Sequence, residues 1–185
     1  MTSFLTEATT LIIEVIFSLY ILAVLLRFLF QLTRADFYNP ISQFLVALTN
    51  PLLKPLRRII PGLFGVDFAS LVLLLALKSL EVFLVFSLGG YTLEPLPLAI
   101  AAVVDLLRLT VNIFFYAVLL RVILSWFMPY GVRQNPAGSL LVSLTEPLLR
   151  PARRLIPTIG GLDLSPIAVL VGLQLCQLAL AHLLR

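Results

Sequence analysis

Four stretches of this chain are apolar for about as long as a bilayer is thick, which limits the possible folds more than any other feature. A helix needs roughly 20 mostly apolar residues to cross the hydrocarbon core. The first stretch runs from about Leu11 to Gln31, "LIIEVIFSLYILAVLLRFLFQ", and the second from about Phe68 to Leu88. The third lies within residues 98–128 and the fourth runs from about Leu164 to Leu184. The third is longer than one crossing needs, so either its first turns lie along the surface or the helix tilts. Composition agrees: 61% of the 185 residues are hydrophobic and 12% charged, where soluble domains carry roughly 25% charge. So few charges would not cover a soluble protein of this size. The opening "MTSFLTEATT" lacks the basic region of a signal peptide, and the apolar run after it is too long for one. It is kept as a span.

The remaining charges are placed unevenly. Arg34, Lys54, Arg57 and Arg58 follow the first span, and Arg133, Arg150, Arg153 and Arg154 follow the third. The loop "GGYTLEPLP" and the N-terminal tail carry no Lys or Arg. Lys and Arg concentrate in cytoplasmic loops, so both long loops are expected in the cytoplasm and both termini in the periplasm. Arg27 and Arg121 fall near the cytoplasmic ends of their spans, where their stems are expected to snorkel to the headgroups. Topology thus accounts for the net charge of +4, and no nucleic-acid partner is expected.

The two basic loops are copies. Residues 39–67 match residues 135–163 without a gap, with 16 identities in 29 positions. Asn, Pro, Thr, Arg, Gly and Asp recur in place, which shared hydrophobicity would not produce. Each unit is therefore span, basic loop, span: residues 1–90 with loop 32–67, and residues 98–185 with loop 129–163. An even number of crossings returns the chain to the same side, so the repeats are parallel. The expected fold is an all-α membrane protein: four transmembrane helices as two parallel two-helix repeats. Each repeat carries an interfacial, amphipathic, proline-containing helical elbow.

Asn39-Pro40 and Asn135-Pro136 suit a helix start, Asn as the cap and Pro at the first position. Ile41, Phe44, Leu45 and Leu48 then form one apolar stripe, as do Ala137, Leu140, Leu141 and Leu144. Such a helix of about three turns is too short to span and should lie at the interface. Thr49 or Asn50 can cap a second helix with Pro51 at its first position. Pro55 forces a kink or restart there, and Pro147 and Pro151 repeat Pro51 and Pro55 in the second copy. Lys54, Arg57 and Arg58 share one cationic face, repeated by Arg150, Arg153 and Arg154. Pro61 and Pro157 close the segment, and Asp67 and Asp163 are placed to cap the next span. The cationic faces fit anionic lipid headgroups or an acidic partner; alternatively they are topology signals that anchor the loop. The fixed proline positions favour a defined elbow, since topology alone requires no backbone shape.

Several polar groups fall inside the spans. Lys78 and Glu81 are spaced i, i+3, and the matching positions are Gln174 and Gln177. Asp105 and Arg108 form another such pair, with Asn112 one turn on, and Glu14 sits near the outer end of the first span. An intramembrane charge costs about 2.5–3.5 kcal/mol on insertion scales. These groups form either a clasp that fixes packing or an ion or proton path. Ala168, Gly172 and Cys176 repeat small side chains every four residues, suited to an internal helix contact or a homo-oligomer. The lone Cys176 and lone His182 read as a packing residue and an interfacial residue. The sequence holds no nucleophile beside a base, no Gly-rich phosphate loop and no metal-ligand cluster. The expectation is a non-enzymatic protein without cofactor or metal.

The duplicated "NP…LT.PLL+P.RR.IP…G..D" phrase resembles the YggT family of small bacterial and plastid membrane proteins, over nearly the whole chain. The motif positions here are Asn39, Pro40, Thr49, Pro51, Pro55, Arg57, Arg58, Pro61 and Asp67. Asn135, Pro136, Thr145, Pro147, Pro151, Arg153, Arg154, Pro157 and Asp163 repeat them. The duplicated form is similar to the Gram-negative version, which implies the inner membrane. The resemblance also implies a link to osmotic and ion stress tolerance, and partners among anionic lipids and other membrane proteins.

Overall fold

A computed structural model describes residues 2–62, 65–91, 94–127, 135–156 and 163–182. Among them are six helices: α1 Thr2–Leu32, α2 Pro40–Ile59, α3 Phe68–Leu88, α4 Pro95–Phe127, α5 Pro136–Leu155 and α6 Ser165–His182. Arg133, Pro157, Gly161 and Leu162 lie outside the described residues, as do the ends of the third and fourth expected spans. Four of the helices are long and apolar enough to cross a membrane: Phe4–Leu32 of α1, and α3, α4 and α6 in full. Ile12, Ile16, Val72, Phe83, Leu120, Val171 and Leu175 are exposed along them. Large exposed apolar faces mark a surface meant for lipid. The chain is a multi-pass, all-α membrane protein.

Two span boundaries differ from the expectation. α1 starts at Thr2 rather than near Leu11. Its polar first turns are helical too, with the Thr9 hydroxyl donating back to the Leu5 carbonyl at 2.8 Å. α4 is one unbroken helix of 33 residues, about 50 Å long at 1.5 Å per residue. It exceeds the roughly 30 Å hydrocarbon core, so it tilts or projects.

The ends of α1 and α3 use the same device. After α3, Gly90 N–H donates to Ser87 O and Tyr91 N–H to Phe86 O, with Gly90 at φ 77°. After α1, Arg34 N–H donates to Gln31 O and Ala35 N–H to Phe30 O. Both are Schellman caps, which need a left-handed residue just past the helix. Gly90 meets that need without strain. Arg34 meets it at φ 53°, a conformation that costs a non-glycine residue about 1–2 kcal/mol.

The elbows depart most from the sequence reading. Each was expected as two helical pieces, the second capped at Thr49 or Asn50. Instead α2 and α5 are single 20-residue helices that run through Pro51 and Pro55, and through Pro147 and Pro151. Proline removes the bond to the carbonyl four residues earlier, which frees the carbonyls of Ala47, Pro51, Ser143 and Pro147. Ala47, Pro51 and Pro147 are exposed and Ser143 half-buried, so these carbonyls can take water or headgroup donors. The helix therefore continues.

The chain divides into two compact units, Met1–Phe28 with Leu45–Leu107, and Leu29–Phe44 with Arg108–Arg185. Ile21, Val24, Leu53 and Leu74 are fully buried in the first, and Val118 and Leu149 in the second. Leu53 and Leu149 are equivalent positions of the two elbows, so each unit anchors its elbow by the same leucine.

Candidate functional site

The elbows are held to the spans by two arginines. Arg27, on α1, is buried within the protein. Its Nη1 donates to Thr49 Oγ1 at 2.5 Å, to Asn50 Oδ1 at 3.0 Å and to the Val46 carbonyl at 3.4 Å. Arg121, on α4, repeats this with Nη1 on Thr145 Oγ1 at 2.8 Å and Val142 O at 3.4 Å. Its Nη2 also reaches Glu146 Oε2 at 2.9 Å. Both arginines, whose stems were expected to reach toward the headgroups, are thus bonded to the elbow helices. The buried Thr hydroxyl offers each guanidinium an acceptor. The hydroxyl has a free lone pair because its own proton goes to the carbonyl four residues back: Thr49 to Leu45 O at 2.7 Å, Thr145 to Leu141 O at 2.8 Å. The sequence did carry a signal, since Arg27 and Arg121 precede Thr49 and Thr145 by nearly the same number of residues.

The far end of each elbow is tied to the next span. Asp67 caps α3 by accepting from Ser70 N–H at 3.4 Å and Ser70 Oγ at 2.5 Å. It is also ion-paired with Arg57, whose Nε lies 3.2 Å away. Asp163 accepts from Ser165 N–H at 3.0 Å at the start of α6, and from Arg153 Nε at 2.9 Å. Asp67 takes the capping role expected of it, whereas Asp163 stands one residue before the cap position Leu164 and meets the Ser165 N–H from there. Burial pushes the Asp67 carboxyl up, but the bonds from Arg57 and Ser70 reverse that and hold it below the usual carboxylate range. Asp163 follows the same pattern with Ser165 and Arg153. On Glu146, burial is likewise outweighed by Arg121, with help from Arg153 and Arg150.

These pairs divide the six cations of the elbows. Arg57 and Arg153 are tied to Asp67 and Asp163, and Arg153 lies 3.5 Å from Glu146 as well. Lys54, Arg58, Arg150 and Arg154 are exposed. In α2 the exposed cations lie among exposed Phe44, Leu48, Leu52 and Ile59, the mixture an interfacial helix presents to headgroups and acyl chains.

Both elbow starts are capped as expected. Asn39 Oδ1 accepts from Ile41 N–H at 2.9 Å, and Asn135 Oδ1 from Gly138 N–H at 2.6 Å. Asn39 does more: its Nδ2 donates to Pro136 O at 2.7 Å and to Ser139 Oγ at 3.1 Å. Pro40 and Pro136 open the two helices, and Pro61 falls after α2.

The polar residues of the spans come together in two places. Lys78 Nζ lies 3.0 Å from Glu81 Oε1 and 3.7 Å from Asp105 Oδ2. Glu81 is buried, and its Oε2 has no hydrogen-bond partner among the described residues. Farther along, Gln177 Nε2 donates to Asn112 Oδ1 at 2.7 Å and Arg108 Nη2 to Leu180 O at 3.0 Å. Glu14 and Gln174 are exposed, as are Ala168, Gly172 and Cys176. A Cβ built on Gly172 meets nothing within 4 Å, so among the described residues no close helix contact forms at Gly172. Among the described residues no three His, Cys, Asp or Glu side chains gather as a metal site.

The sequence pattern of the CCB3/YggT family matches residues 6–88 and again residues 100–184. An uncharacterised protein of Pseudomonas aeruginosa is 45% identical over 179 residues, 94% of this chain and 88% of its own length. An uncharacterised Vibrio alginolyticus protein, from the region 3' of proC, is 36% identical over 181 residues, 96% of both chains. The uncharacterised Escherichia coli K12 protein YggT is 35% identical over 177 residues, 95% of this chain and 90% of its own length. No solved structure matches.

Proposed function

The chain belongs to the CCB3/YggT family, and from that premise we propose that it is a non-enzymatic inner-membrane protein that gathers anionic lipid and other membrane components at its two elbows. The observation that carries this reading is the division of the elbow cations. One arginine of each elbow is neutralised by the aspartate before the next span, while Lys54, Arg58, Arg150 and Arg154 are exposed. Internal pairing accounts for Arg57 and Arg153. The exposed four form no ion pair among the described residues, Arg150 adding only a longer-range pull on Glu146, and are worth about 1 kcal/mol each beside an anionic surface. The elbows lie on the cytoplasmic side in this reading, and the termini in the periplasm. The exposed stripe of Ala168, Gly172 and Cys176 offers a surface to a second copy of the chain.

The test replaces Lys54, Arg58, Arg150 and Arg154 by Gln in the full chain while loop sidedness is followed by cysteine labelling. Enrichment of anionic lipid around the purified protein should fall several-fold, with the fold retained because Arg57 and Arg153 are untouched. Unchanged enrichment at correct topology would refute the reading. The link to osmotic tolerance predicts that a deletion strain grows poorly in high salt. The native gene should rescue it and the four-Gln variant should not.

The unpartnered Glu81 Oε2 beside Lys78 and Asp105 favours one second reading, a small ion channel or transporter. Proteoliposomes should then show an ion flux altered by Lys78→Met or Glu81→Gln. Folded protein without flux would remove this alternative.

A further inference from the structure

A groove of about 620 Å³ in the second unit is lined by Thr33, Ser139, Val142, Ser143, Glu146, Pro147 and Arg150. Its size is that of a small-ligand site. Thr33 directly follows the last residue of α1, which places the groove at the end of a spanning helix, at the depth of headgroups rather than hydrocarbon.

The lining decides what would fit. Three hydroxyl protons are committed to backbone carbonyls: Thr33 to Leu29 O at 2.9 Å, Ser139 to Pro136 O at 2.9 Å and Ser143 to Ser139 O at 3.0 Å. Their oxygens therefore face the groove as acceptors, Ser139 Oγ sharing its lone pairs with Asn39. A bare phosphate, all acceptor, would meet acceptors. The charge balance points to an anion nonetheless. Glu146 is already held by Arg121 and Arg153, and Arg153 by Asp163, so exposed Arg150 gives the site an excess positive charge. The required ligand carries one negative phosphodiester for Arg150 and hydroxyl donors for the serine and threonine oxygens. A zwitterionic ammonium headgroup has donors but no net charge to match the excess.

Resting on the reading that the elbows hold anionic lipid, we propose that this groove selects the headgroup of a phosphatidylglycerol-type lipid. The phosphodiester pairs with Arg150, and the glycerol hydroxyls donate to Ser143, Ser139 and Thr33. The selectivity belongs to the second elbow only. Positions equivalent to Ser139, Ser143, Glu146 and Arg150 in the first copy are Gln43, Ala47, Asn50 and Lys54, which keep a cation but lose both hydroxyls.

The test titrates the purified full chain in micelles with phosphatidylglycerol and phosphatidylmethanol, which has the same charge but no headgroup hydroxyls. Phosphatidylethanolamine and phosphatidylcholine are run beside them, and bound lipid is read by native mass spectrometry. Phosphatidylglycerol should be retained roughly three- to tenfold over phosphatidylmethanol, the worth of one or two hydrogen bonds. Ser143→Ala should abolish that preference without changing phosphatidylmethanol binding, and Ser143→Thr should preserve it. Arg150→Gln should weaken both anionic lipids, whereas Lys54→Gln should weaken both and leave their ratio alone. Equal retention of the two anionic lipids, or phosphatidylethanolamine bound as well as phosphatidylglycerol, would overturn the headgroup assignment. Water-soluble glycerophosphoglycerol binding as tightly as the lipid would overturn the lipid source. If neither anionic lipid exceeds phosphatidylcholine, the elbow reading itself fails, which is a separate result.

Discussion

If Arg27 latches the first elbow to its span, its guanidinium and the Thr49 hydroxyl should be energetically coupled. The perturbation is a double-mutant cycle of Arg27→Met, which keeps the unbranched stem, and Thr49→Val, which keeps the shape. Either change alone is ambiguous. Arg27→Met breaks three contacts but also removes a cation from a buried site, and those effects oppose each other. Thr49→Val also breaks the bond to Leu45 O. The cycle cancels such one-sided effects and leaves the pair. A hydrogen bond to a charged group contributes about 1.5–3 kcal/mol. The 2.5 Å separation and the complete burial of Thr49 argue for the upper half of that range. Asn50 and Val46 remain within reach of Arg27 Nη1 and recover part of it in Thr49→Val. We expect a coupling of about 1–2 kcal/mol, measured by titrating folded protein in mixed micelles with a denaturing detergent and following helix loss by circular dichroism. A coupling below about 0.3 kcal/mol, within ordinary additivity, would refute the latch. Arg121→Met with Glu146→Gln should couple at least as strongly, because that pair exchanges two full charges at 2.9 Å.

Asn39 and Asn135 should differ under the same change to Asp. Asn39→Asp keeps the cap but sets a carboxylate against Pro136 O, losing about 1–3 kcal/mol, while Asn135→Asp stays within about 0.5 kcal/mol; thermal unfolding in micelles separates them. Lys78→Met leaves Glu81 buried without its cation and should lose about 3–5 kcal/mol, and adding Glu81→Gln should recover most of it in the same assay. Asp67 and Asp163 have folded carboxyls below their unfolded pKa, so their stabilisation is present above the unfolded value near 4. It is lost as pH falls through the lower, folded values. The unfolding midpoint should hold from pH 7 to about 5 and drop in stronger acid, and Asp67→Asn should flatten that drop more than Asp163→Asn, since Asp67 is the more buried.

Much of the elbow's chemistry was legible because it is local. Asn39, Asn135, Asp67 and Asp163 bond neighbouring backbone N–H groups, and such a bond is a relation between residues two or three positions apart. The helix through Pro51 and Pro55 was not legible, because proline rules assume that freed carbonyls are buried. Exposure of Ala47 and Pro51 removes that penalty, and exposure is a tertiary property. The partners of Arg27 and Arg121 were hidden for a similar reason. Their spacing from Thr49 and Thr145 was visible, but nothing in a sequence says that α2 and α5 dock where those hydroxyls meet the guanidinia.

By itself the sequence determined that this chain crosses a membrane four times by helices and that it contains one unit twice. Apolar run length and in-place repetition do not depend on what packs against what. Only the tertiary structure decided how the elbow cations divide. Arg57 and Arg58 are adjacent, chemically alike and both exposed, yet of the two it is Arg57 that ion-pairs with Asp67, ten residues on. The difference is the direction each Cα presents on a folded helix, fixed only once the elbow has docked beside the next span.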